Sequence, residues 1–324
     1  MSGLREELAT WRREMIRSTG LAPATVDRYV GDADRFVTWL QGQDAEATAA
    51  DVTAQDARDY RAHLLRAGRA PATINRALIS LALFLDAASR ADDNPFRKID
   101  RIDVVAGAPR AVTQADWLAV RRAAARLVPR DHGLALALVC LLRFAGPRVG
   151  EVAALRLPDA RISARRGLLV IRQGKGLKHR EIPLVLEARE PLQDYLAHRR
   201  DLAERWARQA HVCGEPAPEW ASWPDGHLFL GQRGPLGARG IRQIVGKLGQ
   251  ATKLESPLAP HTLRHTFATA LLDPAAYGHE RPALPLTAVQ DLLGHADPAT
   301  TARYTRSSPA TLARLMGEPT AYLP

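Results

Sequence analysis

The chain has 324 residues, room for about two domains at roughly 100–200 residues each. With 46% hydrophobic residues it has a globular rather than a disordered composition, and no apolar run approaches the roughly 20 residues that span a bilayer. Of its 45 basic and 35 acidic residues, 16 of each lie in residues 1–110, so the whole excess of +10 falls in residues 111–324. A basic second part points to a polyanion such as nucleic acid. Arginine is abundant throughout, which makes some of that excess compositional. Only five residues are lysine, so a lysine at a turn tip stands out from the background.

The first residues, Met-Ser-Gly-Leu-Arg-Glu-Glu, carry acidic side chains and no apolar core, unlike a signal peptide. Cys140 and Cys213 are far apart and outside any Cys-x-x-Cys pair. They read as free thiols of a reducing, cytoplasmic compartment. Residues 4–18 and 22–42 have helical periodicity, the second through Val26, Tyr29, Val30, Phe36, Val37 and Leu40. A third helix is expected over 54–67, ended by Gly68. A fourth is expected over 71–90, with Pro71 at its start and Asn94-Pro95 beyond its end. Residues 104–112 carry Gly and Pro between periodic segments and read as a linker, dividing the chain into domains at 1–105 and 110–324.

Thr113-x-x-Asp116 has the form of a helix start, and 132–145 is an apolar helix too long for a strand. Residues 167–186 change character. Leu168 to Ile171 is rich in strand formers, Gln173 to Lys178 is turn-like, and Arg180 to Val185 runs back, which predicts a hairpin with Lys175 near its tip. Helical patterning returns over 187–209. Residues 212–226, with three Pro and two Trp, read as a surface loop. Further helices are expected over 239–253, 260–272, 286–294, 298–305 and 309–316. The fold class is therefore mainly α: an N-terminal four-helix unit, then a mostly α domain with a small antiparallel β-sheet.

Several polar residues in the second part suit phosphate chemistry. Arg148, in Ala-Gly-Pro-Arg-Val-Gly-Glu, is by default a surface arginine paired with Glu151. Its guanidinium also matches two phosphate oxygens, with Glu151 holding it in place. His261 and Arg264 are three apart on one expected helix and share a face, and Pro260 puts His261 near a helix N-terminus. His265 forms a His-x-x-x-His pair with His261. A metalloprotease site would need Glu where Thr262 stands, and His295 is the one candidate third ligand. The reading adopted is no metal and no cofactor. Gly174-Lys175-Gly176 is not a phosphate-binding P-loop, because Leu169 and Gly176 occupy the positions that need Gly and Ser/Thr. Tyr304 stands nine residues after His295. A tyrosine can attack a phosphodiester and store the bond energy as phosphotyrosine, provided cations stabilise the phosphoryl oxygens and an acid protonates the leaving oxygen.

Taken in this order and spacing, these motifs resemble those of the tyrosine recombinase (phage integrase) family, in its simple two-domain type, over nearly the whole chain. Ala-Gly-Pro-Arg-Val-Gly-Glu resembles the first arginine box, Gly-Lys-Gly-Leu-Lys-His-Arg-Glu-Ile-Pro-Leu the hairpin, and His-Thr-Leu-Arg-His the second box. Leu-Leu-Gly-His and Tyr304 resemble the closing segment, and Pro-Ala-Thr-Ile-Asn-Arg-Ala-Leu a helix of the N-terminal core-binding domain. The resemblance implies catalytic roles for Arg148, Lys175, His261, Arg264, His295 and Tyr304, with Lys178 as the alternative lysine. Its implied reaction is site-specific cleavage and religation of double-stranded DNA at a core site, through a 3′-phosphotyrosyl intermediate. Its implied assembly is a tetramer of recombinase subunits on two sites. A type IB topoisomerase and a catalytically silent DNA-binding relative are the rival readings. Pro147 stands where the family commonly has Leu, and residues 212–226 and 273–286 are longer than its pattern. The length leaves no room for an additional N-terminal arm-site domain.

Overall fold

The computed structural model describes residues 3–294 apart from 22, 91, 104–110, 164, 173–178, 214–215, 217–218, 224, 232–233 and 279–281. The chain divides into two compact units, Met1–Gly107 and Ala108–Pro324.

The first unit holds four long helices, α1 (Leu4–Ser18), α2 (Pro23–Gln41), α3 (Ala54–Arg66) and α4 (Pro71–Leu85), and a short α5 (Pro95–Lys98). Local chemistry sets their starts. At α3, Thr53 accepts from the Asp56 amide at 3.2 Å while the Asp56 carboxylate accepts from the Thr53 amide at 2.8 Å, a reciprocal cap. Pro71 sits in the first turn of α4, where a missing N–H costs nothing. The helix expected over 71–90 is α-helical only to Leu85 and continues as a π turn over Asp86–Arg90. Asn94, read as a stop signal, also starts α5 by accepting from the Phe96 amide at 3.0 Å. The ring of Phe96 then meets Phe36 edge-on at 5.2 Å, and Phe36 meets Tyr60 at 5.0 Å, so an aromatic cluster joins α2, α3 and α5.

The second unit is built around α8 (Leu134–Ala145), which is buried on nearly all sides. Around it pack α6 (Gln114–Ala125), the short α7 (Val128–Asp131), α10 (Leu186–Cys213) and α12 (Pro260–Leu272). The unit also contains α9 (Val149–Ala154), α11 (Ala238–Ala251) and α13 (Leu286–Leu293). Thr113 caps α6 by accepting from Asp116, as its pattern predicts. The helix expected from residue 132 begins later, because His132 and Gly133 both take left-handed conformations, at φ 55° and 85°, and separate α7 from α8.

The sheet has three strands in the order β1 (Ala160–Ile162), β2 (Gly167–Ile171), β3 (Arg180–Pro183), all antiparallel. The predicted hairpin is its β2–β3 pair, with Val170 opposite Glu181 and Ile171 opposite Arg180. The three-residue β1 is too short to show alternation in sequence. A two-residue pair, β4 (Leu230–Gly231) with β5 (Gly234–Pro235), was likewise not expected. The loop expected from residue 212 starts later, since α10 runs to Cys213. Buried Arg199 ties the described part of that loop down, donating to the carbonyl of Ala221 at 3.1 Å within it and to that of His227, just past its end, at 3.2 Å. Cys140 is buried and Cys213 exposed, both as free thiols, and burial pushes the Cys140 thiol up to about 12. Among the described residues no helix is long and apolar enough to cross a membrane. The helices expected over 298–305 and 309–316 lie outside the described residues.

Candidate active site

The site begins where α8 ends. Gly146 takes a left-handed conformation, φ 61°, and turns the chain sharply. Buried Pro147 follows, and Arg148 then stands at the N-cap of α9. Glu151, in the first turn of α9, accepts from the Arg148 amide at 2.7 Å and from Arg148 Nη1 at 2.9 Å. The Arg148–Glu151 pairing read from sequence is thus present. Arg148 remains 30% exposed, with Nη2 donating to the Gly294 carbonyl at 2.9 Å.

The second arginine comes from α12. Pro260 opens that helix, His261 is exposed in its first turn, and Arg264 is buried one turn on. Arg264 Nη1 donates to the Gly146 carbonyl and Nη2 to the Leu293 carbonyl, both at 2.6 Å. The glycine that ends α8 therefore also seats Arg264.

A third guanidinium completes the arrangement. Arg180 on β3 donates from Nη1 and Nη2 to the two Glu151 oxygens at 3.0 and 2.6 Å, and from Nε to the Leu292 carbonyl at 3.0 Å. Three successive carbonyls, of Leu292, Leu293 and Gly294, thus each receive one arginine. The last carbonyls of a helix have no partner within it and carry the negative end of its dipole, so cations collect there. Burial alone would raise the Glu151 pKa. The hydrogen bonds from Arg180 and from the Arg148 backbone outweigh that and hold it below the usual carboxylate range.

Of the six residues expected to be catalytic, Arg148 and Arg264 are brought together through Gly146 and the end of α13, with His261 on the same helix as Arg264. Lys175, His295 and Tyr304 lie outside the described residues, as does Lys178. Strands β2 and β3 flank the segment that holds Lys175, and Gly294 immediately precedes His295. His265, weighed as a metal partner of His261, is buried. Among the described residues no group of three or more His, Cys, Asp or Glu is placed to hold a metal ion.

Arg180 was missed as a site residue, although a signal was present. It alternates with Ile182 along β3, and both face inward while Glu181 and Pro183 are exposed. An arginine on the buried face of a strand requires a partner.

Two family models match the chain. The phage integrase family model covers residues 123–311, and the model of the phage integrase N-terminal SAM-like domain covers residues 8–92. Tyrosine recombinase XerC of Methylobacterium sp. (strain 4-46) is 31% identical over 325 residues, spanning 95% of this chain and 91% of the relative. Tyrosine recombinase XerD of Halalkalibacterium halodurans is 30% identical over 293 residues, spanning 88% of each. The fold is that of the XerH site-specific recombinase bound to a palindromic difH substrate, at a TM-score of 0.67, 18% identity, 96% of this chain and 84% of that one. It is also that of the Tn1549 transposon integrase in complex with transposon right end DNA, at a TM-score of 0.66, 19% identity, 96% of this chain and 98% of that one.

Proposed function

The chain belongs to the phage integrase family and is a tyrosine recombinase, and from that premise we infer a specific division of labour at its active site. Duplex DNA carrying a core recombination site is the substrate. The Tyr304 oxygen attacks the scissile phosphorus, a P–O bond to tyrosine forms, and the bond to the 5′ oxygen breaks. His261 takes up the phenolic proton and Lys175 delivers a proton to the departing 5′ oxygen. Arg148 and Arg264 hold the non-bridging oxygens, and His295 donates a further hydrogen bond to them. Religation is the reverse attack by a 5′ hydroxyl, with the bond energy kept in the phosphotyrosine, so no ATP is consumed. Cationic side chains do the charge stabilisation that a metal ion does elsewhere.

The observation that carries this reading is the meeting of two arginines from distant parts of the sequence on the helix end that leads into His295. A topoisomerase would share the chemistry but not the pairing of sites, and the relatives matched over most of this chain are recombinases. Exchange between two duplexes needs four strand cuts, hence four subunits at the synapse. A closed ring then requires each to dock on its neighbour.

The test is a nicked core-site duplex on which cleavage traps the covalent adduct. Tyr304→Phe removes one oxygen and little volume, so DNA binding persists and the adduct disappears from a denaturing gel. Adduct formed by the Phe variant at the wild-type rate refutes the nucleophile assignment.

A further inference from the structure

We propose that Arg180 is a positioning residue of this recombinase: acting through Glu151 and Leu292, it places Arg148 against the scissile phosphate. The proposal rests on the assignment of Arg148 as a phosphate ligand and adds a residue from a third element of the fold.

The Glu151 carboxylate is shared evenly. Oε1 accepts from Nη1 of Arg148 at 2.9 Å and of Arg180 at 3.0 Å. Oε2 accepts from the Arg148 amide at 2.7 Å and from Arg180 Nη2 at 2.6 Å. Four donors fill a carboxylate, so Arg148 has a single resting place on it. The Arg180–Glu151 pair is bidentate and both side chains are buried, at 8% and 5% exposure, which makes it stiffer than a surface ion pair.

Arg180 also fixes the other anchor of Arg148. Its Nε holds the Leu292 carbonyl, two residues before the Gly294 carbonyl that accepts from Arg148. Gly294 lies hard against it: a Cβ added there would be 2.8 Å from Arg180 Nη1. Both acceptors of Arg148 are therefore set by one guanidinium. Charge gives the arrangement a second purpose. Arg148 and Glu151 alone form a neutral pair with little pull on an anion. With Arg180 the trio carries one net positive charge, on the side where Arg148 is exposed.

The experiment measures single-turnover cleavage of the nicked core site by the full chain, with thermal unfolding and DNA binding alongside. The variants are Arg180→Gln, Arg180→Lys, Arg148→Ala and the combination of Arg180→Lys with Arg148→Ala. Lysine keeps the charge opposite Glu151 but cannot hold both carboxylate oxygens and the Leu292 carbonyl in one planar fork. Arg180→Lys is expected to fold, to bind DNA within threefold of wild type, and to cleave at saturation on the order of 10- to 100-fold more slowly, the scale of a misplacement near 1 Å. In the Arg148→Ala background the same change costs less than about threefold, because a residue that acts through Arg148 has nothing left to place. Wild-type cleavage by both Arg180 variants overturns the proposal, as does an undiminished loss in the Arg148→Ala background. Unfolding of both variants does the same, since Arg180 is then a stability element. Failure of the underlying reading looks different: the wild-type chain forms no adduct, or Arg148→Ala cleaves normally.

Discussion

Replacing Gly146 with alanine strikes the fold and the site at one atom. Gly146 lies at φ 61°, where an L side chain costs roughly 1–2 kcal/mol. The added Cβ would sit 2.3 Å from Phe267 Cδ1 and 3.0 Å from two further ring carbons. Phe267 is buried, so the ring has little room to retreat, and overpacking of this kind costs about 1–3 kcal/mol. Together these give about 2–5 kcal/mol. At about 2–4 °C per kcal/mol for a domain of this size, the melting temperature of the second unit falls by about 4–20 °C. The control is Gly150→Ala, in α9 four residues away, where a Cβ meets nothing within 4 Å and φ is not positive. That change gains up to about 1 kcal/mol by reducing the freedom of the unfolded chain. Thermal unfolding of the full chain, followed by near-ultraviolet circular dichroism, separates the two. Melting temperatures within 1 °C of each other refute the reasoning, because the left-handed turn and the ring contact are then not rigid features. Below its melting point Gly146→Ala should also cleave more slowly than Gly150→Ala, since the Gly146 carbonyl seats Arg264.

Acid should weaken the second unit through two histidines. Burial first, then neighbouring His132 and Arg205, hold His198 below its ordinary 6.5, and burial with Arg156 and Arg199 does the same to His227. The unfolded chain therefore binds protons at these positions at a higher pH than the folded one. Stability falls as pH drops below about 6.5 and levels off below the folded values. A variant with Gln at both positions should lose less stability between pH 7 and pH 5, measured by urea unfolding, and an unchanged slope would remove these groups from the account. Adduct formation should persist in excess EDTA, because side chains stabilise the charge. Complete loss, restored by a divalent ion, would revive a metal role for His261, His265 and His295.

Local signals were sufficient for much of the first unit. The four long helices follow from apolar spacing, with Gly68 marking the end of the third and Pro71 the start of the fourth, all decided within a few residues of one another. The hairpin also followed from its own strands, since the strand formers on either side of the Gly-Lys-Gly segment pair with each other. The candidate residues for phosphoryl transfer stood out in sequence because each motif is short. Other features depend on contacts that no local window contains. His132 takes a left-handed conformation against its own preference and shortens the expected helix. Arg199 holds a loop that composition alone marks as free. Above all, the joining of the site was decided by tertiary structure. Arg148, Arg180 and Arg264 reach the end of α13 across 146, 112 and 29 residues of chain, and Arg264 reaches Gly146 across 118. Sequence determined that these arginines exist and placed Arg148 just after an apolar helix, Arg180 on the returning strand of a hairpin and Arg264 on a helix. Only folding brought the unsatisfied carbonyls of a helix end to them, and with those carbonyls the reason Arg180 is buried.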